Sequence, residues 1–566
     1  MSDNSFDAII VGAGFSGLYL LHKLRGQGLS VRVIEMGKDV GGTWYWNRYP
    51  GARCDIESME YSYSWDEELE QEWQWSERYS PQPEILDYLG HVADRHDLRR
   101  DIAFETKVTA AHYNEDRDRW SVTTDGGETL DARFVVMATG CLSSPNKPQF
   151  EGEEDFTGET YLTGLWPHEK VDFTGKKVGV IGTGSSAIQS IPQIAKEATE
   201  LTVFQRTPNF AIPAHNHDLD PDYVASIKAS YRELRAEAKE QAAGFTGSSV
   251  VNEDLAVDLP REKVEAELQR YWDKGGLTFM ASFSDFGVSL NSNAIAAEFI
   301  RDRIRERVND PDTAELLCPD SYPAGAKRMC VDIGYYETFN EDHVHLVDIN
   351  AEPIERITAA GLKTSEKDYE FDAIVFATGF DAMTGTLAKI DISGRGGKKL
   401  KDKWADGPRT YLGLMSEGFP NLFLVTGPQS PSVISNMIVS IEQHVEWISD
   451  CIERVGKGVI EPLETAENDW VDHCNAVADL TVYPYAKSWY LGDNVPGKPR
   501  IFMAYLGGVP EYRRICDAVV EKGYAGFRID GVAGNATVDP MEFFEQNEKV
   551  LALVMKERPE ALAAFV

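Results

Sequence analysis

Two glycine-rich stretches, far apart in the chain, have the residue types and spacing to hold phosphate. The first is Gly12, Ala13, Gly14, Phe15, Ser16 and Gly17; the second is Gly182, Thr183, Gly184, Ser185, Ser186 and Ala187. Each follows a short apolar run and precedes a helical pattern, which is the arrangement of a dinucleotide-binding turn. The first glycine permits the tight turn and the second lets backbone approach a pyrophosphate. The third small residue lets helix meet strand, and the helix N-terminus supplies amide donors. Glu35 stands about 20 residues beyond the first glycines, where a carboxylate accepts hydrogen bonds from ribose hydroxyls and repels a 2′-phosphate. FAD or NAD is therefore expected there. At the matching place in the second unit stand Gln205, Arg206 and Thr207. Their basic or hydroxylic character suits a 2′-phosphate, so NADP is expected. Two sites for two dinucleotides imply electron transfer between cofactors.

Other residues could act on what the cofactors deliver. Lys327 and Arg328 are adjacent cations in an acidic chain, and neighbours on an extended segment point to opposite sides. One can meet phosphate while the other faces the flavin; a dibasic surface pair is the plain alternative. The segment from Gly41 to Asp55 carries a glycine pair that can hug a flat ligand, then Thr43, Trp44, Tyr45 and Trp46, then Pro50-Gly51, which suits a type II turn. Its aromatic residues read equally well as a core cluster. Asp55, beside Arg53 and close to an apolar cofactor pocket, needs a partner charge or a shifted pKa.

The elements that must position these residues form a repeated pattern. Asp7 to Val11 and Ser30 to Ile34 read as strands, with Leu18, Leu21 and Leu24 at helical spacing between them. Lys177 to Ile181, then Ile188, Ile191 and Ile194, then Leu201 to Phe204 repeat that βαβ order. Phe134 to Met137 enters Ala138-Thr139-Gly140, and Ala373 to Phe376 enters Ala377-Thr378-Gly379, like the return strand of each fold. Amphipathic helices fill the chain from about Pro213 to Cys318. The expected class is α/β, with two Rossmann-like dinucleotide-binding domains, the first for FAD or NAD and the second for NADP, and a helical insertion in the second. The expected division is 1–150 for the first part of the FAD domain, 151–212 and 326–375 for the NADP domain, 213–325 for the insertion, and 376–566 for the rest of the FAD domain with the C-terminal region. The acidic, Trp-rich run from Trp65 to Trp75 reads as a surface helix or loop.

Composition excludes several classes. At 566 residues with 42% hydrophobic and 26% charged residues the chain is globular and long enough for several domains. A net charge of −36 repels nucleic acid and anionic membrane. Seven cysteines without a CxxC pair suggest reduced thiols in a cytosolic protein and oppose a redox disulfide. No basic leader precedes an apolar run, and no window reaches the roughly 18 apolar residues of a membrane helix, so a soluble, cytoplasmic protein is expected. His215 and His217 have no second ligand pair, so no metal is expected.

Assembled, these motifs resemble a type I Baeyer–Villiger monooxygenase over nearly the whole chain. That family carries a fingerprint FxGxxxHxxxW(P/D) between its dinucleotide turns, matched by Phe156, Gly158, Trp166 and Pro167. The fingerprint histidine is Leu162 here, with His168 nearby. Further matches are the 41–55 segment, Lys327-Arg328, the 427–437 segment GPQSPSVISNM, and Ser488-Trp489-Tyr490-Leu491-Gly492, while Ala504 stands where proline is expected. The resemblance implies FAD in the first fold, with Thr43, Trp44, Trp46, Tyr61 and Met437 added, and NADPH in the second, with Lys327 and Trp489. It implies insertion of one oxygen atom from O2 beside a ketone carbonyl, through a flavin peroxide and a tetrahedral adduct, giving an ester or lactone. Arg328 would stabilise the negative charge of both intermediates, and Asp55 would orient Arg328. The implied partners are a small ketone and O2, in a monomer or homodimer. A flavin monooxygenase acting on nitrogen or sulfur shares both folds but not the Trp-Pro ending, and ranks second.

Overall fold

In the computed structural model, residues 4–562 are described, except 251, 253, 535–536 and 545–546. Ser5–Val11, Phe15–Gly26 and Val31–Ile34 form the first strand, helix and strand, and the two strands pair in parallel from Ala8↔Val31 to Val11↔Ile34. Thr129–Met137 pairs in parallel on the other side of the first strand, with Val11 opposite Met137. Leu422–Leu424 then extends Thr129–Met137, and an antiparallel hairpin, Val108–Asn114 and Arg119–Thr124, completes most of an eight-stranded sheet. Ala8, Ile9 and Ile10 are fully buried, as parallel strands covered on both faces require.

The second sheet has five strands, all parallel, in the order Val344–Asp348, Glu200–Gln205, Lys177–Ile181, Ala373–Phe376, Glu159–Leu162. The fingerprint stretch is thus a strand of this sheet, with Leu162 opposite Phe376. The expected boundary between 375 and 376 falls one residue inside Ala373–Phe376. A short parallel ribbon, Ala211–Pro213 with Cys330–Asp332, closes the neck of the insertion. The insertion itself contains the helices Pro221–Ala229, Tyr231–Lys239, Arg261–Lys274, Leu290–Arg307 and Pro311–Leu317.

Part of this insertion is moored on the first fold. Arg235, buried, donates to the Glu70 carboxylate at 2.8 Å, to the Glu60 carbonyl at 2.9 Å and to the Ser62 hydroxyl at 2.6 Å. The 65–75 run differs from its expectation as a surface segment. Glu67–Glu72 is a helix, but Leu69 and Trp75 are buried and Trp65 and Trp73 pack against the same core. Glu67, Glu68 and Glu72 face outward and Glu70 is buried against Arg235, while the rings cover the helix that follows the first glycine turn, with Trp65 stacked on Tyr19 at 5.1 Å.

The Ala-Thr-Gly repeats have a packing explanation. Gly12 has φ +109°, and a Cβ there would lie 2.5 Å from the Ala138 carbonyl oxygen. Gly182 has φ +115°, and its Cβ would lie 2.4 Å from the Ala377 carbonyl oxygen. Each return strand therefore ends against the glycine of its own turn. Gly12→Ala should lose FAD, and Gly182→Ala should keep FAD while losing NADPH affinity. The backbone strain alone is about 1–3 kcal/mol at either position. Flavin absorbance of the purified variants and NADPH titration check this; FAD retained by Gly12→Ala would contradict it.

Candidate active site

Both turns leave donors free for a dinucleotide. The helices Phe15–Gly26 and Ser185–Ala195 start after Gly14 and Gly184, with nearly identical cap angles (φ −82°, ψ −165° and φ −81°, ψ −172°) and no side-chain cap. Their first amides therefore point at whatever anion occupies the turn. Gly14 faces Gly42, where a Cβ on Gly42 would come within 2.9 Å of the Gly14 Cα, so only bare backbone fits this approach. Phe15 meets Tyr61 edge-on at 5.5 Å, and Trp44 Nε1 donates to the Tyr61 hydroxyl at 3.3 Å. Ser16 and Gly17 are buried beneath them, Thr43 is exposed and Trp46 half-buried. Glu35 is buried and accepts from the backbone amides of Ala13 (2.7 Å) and Gly37 (2.6 Å). Burial pushes its pKa up while those amides oppose the shift. The residues present fit FAD: a glycine cradle, an uncapped helix end and a buried carboxyl at the ribose position.

The second turn is latched differently. The Thr183 hydroxyl donates to the Thr207 carbonyl at 2.8 Å, which fixes the turn to the end of Glu200–Gln205. Ser185 Oγ lies 3.1 Å from Cys330 Sγ, and Ser186 Oγ lies 3.3 Å from Thr163 Oγ1. Ala187 is buried where the first turn has Gly17. Gly184, Ser185 and Arg206 are exposed. Lys327 Nζ lies 4.3 Å over the ring of Tyr322, whose hydroxyl reaches the Pro208 carbonyl at 2.9 Å. Burial and then the Arg206 charge lower the Lys327 pKa to about 8, against a smaller opposing pull from Asp493. Two cations that repel one another across an uncapped turn suit a doubly charged 2′-phosphate.

Between the folds, Asp55 and Arg328 meet. The guanidinium donates to both carboxylate oxygens, Nε at 2.9 Å and Nη2 at 2.8 Å, while Nη1 donates to the Val433 carbonyl at 3.2 Å. Burial disfavours the Arg328 cation, but Asp55 and then Tyr490 outweigh it and push the pKa above its usual range. Arg328 is therefore charged at any working pH. Arg53, two residues before Asp55, is not its partner; it pairs with Glu77 at 2.7 Å.

The Val433 carbonyl belongs to a strained loop. Thr426, Gln429 and Ser432 have φ of +53°, +68° and +38°, and all three are buried. Such strain persists only where surroundings over-determine it. Here His444 Nδ1 accepts from the Thr426 amide at 2.8 Å, and its other nitrogen meets the Tyr512 hydroxyl at 2.9 Å. Met437 opens the helix Met437–Val455 and packs between the main core and a smaller cluster containing Val433 and Tyr490. Trp489 borders that same cluster, 4.0 Å from the Tyr490 ring. Leu162 lies apart, half-buried among Phe150, Phe156 and Phe376, whereas His168 packs on Tyr45 at 4.5 Å. His444 and Gln189, described below, had no sequence signal, and Val433 stood only within the 427–437 match, because a backbone carbonyl and a distant amide carry none of their own.

Two dinucleotide folds with a bidentate ion pair between them define a flavin- and NADP-dependent oxidoreductase. The profile of the pyridine nucleotide-disulphide oxidoreductase family matches residues 9–264, although all seven cysteines are buried and free. A Baeyer-Villiger monooxygenase of Pseudooceanicola batsensis is 44% identical over 93% of this chain and 97% of its own. A solved steroid monooxygenase in its oxidised, NADP-bound form is 50% identical with TM-score 0.88, covering 93% of this chain and 99% of that one. A structure of OTEMO in complex with FAD and NADP is 40% identical with TM-score 0.89, over 93% and 99%. The chain belongs to the Baeyer–Villiger monooxygenases. Its cofactors are FAD and NADPH, and it inserts oxygen beside a ketone carbonyl.

Two outcomes follow from this geometry. Lys327, charged below about pH 8 and neutral above it, should hold a 2′-phosphate only in its protonated form. NADP+ affinity should fall as pH rises through about 8, by up to roughly tenfold per unit. Arg206→Ala removes the repulsion, so the midpoint should move upward; a flat profile from pH 7 to 9.5 would contradict the assignment. Leu162→His should change ester formation by less than about tenfold, a barrier change under roughly 1.4 kcal/mol. A gain of roughly a hundredfold would place position 162 in the reaction.

Proposed function

We propose that Arg328 is the catalytic cation of this ketone monooxygenase and that Asp55 holds it in place. The observation that carries this reading is the bidentate pair at 2.9 and 2.8 Å, which fixes the guanidinium plane between the two folds. When bound, FAD accepts hydride from NADPH and activates O2; the chain's part is to orient, to shield and to stabilise charge. A guanidinium that is already fixed needs no reorganisation when negative charge develops on the ketone oxygen. Its remaining Nη1 hydrogen bond to Val433 leaves that side of the fork directed at the 427–437 loop. Trp489, next to Tyr490, is assigned the role of covering the nicotinamide end of NADP and keeping water out.

Glu35, with Gly12, Gly14, Phe15, Ser16, Gly17, Thr43, Trp44, Trp46, Tyr61 and Met437, is assigned to FAD. Gly182 to Ala187, with Arg206, Thr207, Lys327 and Trp489, is assigned to NADPH. The domain division is proposed as expected from sequence, with the second fold extended to Phe376. Among the described residues no helix is long and apolar enough to cross a membrane, and the buried free thiols support a cytoplasmic protein.

Arg328→Ala should retain FAD and still be bleached by NADPH without oxygen, because Gly12, Glu35 and Lys327 are untouched. In air it should release hydrogen peroxide in place of ester. The expected loss in ester formation is about 2.7–4 kcal/mol of stabilisation, or two to three powers of ten. Asp55→Ala should show a milder form, and Arg328→Lys should recover little because it lacks the planar fork. Mass spectrometry on a panel of ketones, with a tertiary amine and a sulfide as controls, checks both the reaction and the residue. Normal ester yield from Arg328→Ala would remove it from the mechanism.

A further inference from the structure

The helix Ser185–Ala195 contacts, through one face, the segments that carry Arg328 and Asp55. Ser185, in its first turn, lies 3.1 Å from Cys330, two residues beyond Arg328. One turn further along, Gln189 Oε1 accepts from the Tyr49 hydroxyl at 2.8 Å and from the Arg53 amide at 3.4 Å, and its Nε2 donates to the Arg53 carbonyl at 3.1 Å. Residues four apart share a helix face. Between these contacts the loop comes as close as backbone allows. Gly51 has φ +81°, and a Cβ there would lie 2.3 Å from the Gln189 carbonyl oxygen. Tyr49 also sits in the field of Asp55: burial raises its phenol, and the Asp55 charge raises it further.

We infer that Gln189 is a positioning residue that couples nucleotide occupancy of the second turn to the placement of Asp55 against Arg328. This inference rests on the reading of that pair given above. The helix that carries Gln189 begins at the turn assigned to NADP, so a bound pyrophosphate fixes its first turn. Gln189 then transfers that fixed position to residues 49–53, and Asp55 lies two residues beyond. The Gln189 amide does so with three hydrogen bonds, two to backbone groups of Arg53, and no other side chain makes hydrogen bonds to both Tyr49 and Arg53 among the described residues. Gln193, one turn on, presses its Cγ to within 3.0 Å of the same Cβ position at Gly51, which keeps the loop seated.

The test compares Gln189→Leu, Gln189→Glu and Gly51→Ala with the parent holoenzyme, each first checked for FAD content and melting temperature. Hydrogen–deuterium exchange with and without NADP+ is the direct readout. In the parent, NADP+ should slow exchange at both 182–188 and 49–55; in Gln189→Leu it should slow only 182–188. Ester formed per NADPH should fall about threefold to tenfold with the loss of these positioning hydrogen bonds, while anaerobic bleaching by NADPH stays near the parent rate. Gln189→Glu keeps the acceptor for Tyr49 and loses the donor to Arg53, so it should be intermediate. In an Asp55→Ala background, Gln189→Leu should have no further effect on ester yield. Unchanged NADP+ protection at 49–55 in Gln189→Leu would overturn the proposal, as would independent, multiplying losses in the double variant. If Asp55→Ala and Arg328→Ala themselves keep full ester yield, the ion-pair reading fails instead, and the exchange result still decides the mechanical link.

Discussion

The bidentate contact between Asp55 and Arg328 joins residues 273 positions apart in sequence, and the architecture on either side serves it. Asp55 comes from the first fold, at the end of a glycine- and aromatic-rich loop. Arg328 comes from the return of the insertion into the second fold, just before the ribbon strand Cys330–Asp332. Either charge alone would be costly at this depth, because a partly buried ion without a partner loses hydration and gains nothing. Together they offset one another, with the Val433 carbonyl taking the remaining guanidinium donor and Tyr490 favouring the cation. The pair is therefore stable only when both folds are in place.

The two folds solve the same steric problem with the same parts. A glycine with φ above +100° lets the chain leave its strand, and the alanine carbonyl at the end of the return strand occupies the space a side chain would need. The difference lies in the approach to the second glycine. Gly14 is met by Gly42, so an adenine-diphosphate moiety is enclosed by backbone from two directions. Gly184 meets nothing within 4 Å, so the second turn stays open toward solvent. The first turn is thus walled by backbone where the second is open.

Much of this was legible in the chain because it depends on local rules. Glycine spacing, the apolar strands and the acidic or basic residue after the second strand each reflect the geometry of a single βαβ unit. The strand Lys177–Ile181 spans the residues read as a strand and ends where its apolar run does. What failed was longer in range. The acidic run around Trp65 reads as surface because Glu67, Glu68 and Glu72 are exposed, yet Trp75 is buried, and only tertiary packing distinguishes the two faces of so short a helix. Arg53 is nearer to Asp55 in sequence than any other cation, but the extended backbone sends it toward Glu77. Gln189 is one of many polar residues on an amphipathic helix, and its partners at 49 and 53 lie on a loop whose path the sequence does not specify.

The strand Thr129–Met137 has one further consequence, for the order in which the protein is made. Its first half pairs with the hairpin strand Arg119–Thr124, but Val135, Val136 and Met137 take Leu422, Phe423 and Leu424 as neighbours on that side. Those neighbours emerge from the ribosome only after the whole second fold and its insertion. During that interval three consecutive apolar residues at the centre of the nascent first sheet present unpaired backbone, the kind of edge that recruits strands from other chains. Met437, at the start of the helix that completes the FAD pocket, emerges later still. The first sheet and the flavin site thus close only after the second fold has been made, and newly made chains depend on prompt completion of that fold to reach this point without aggregating.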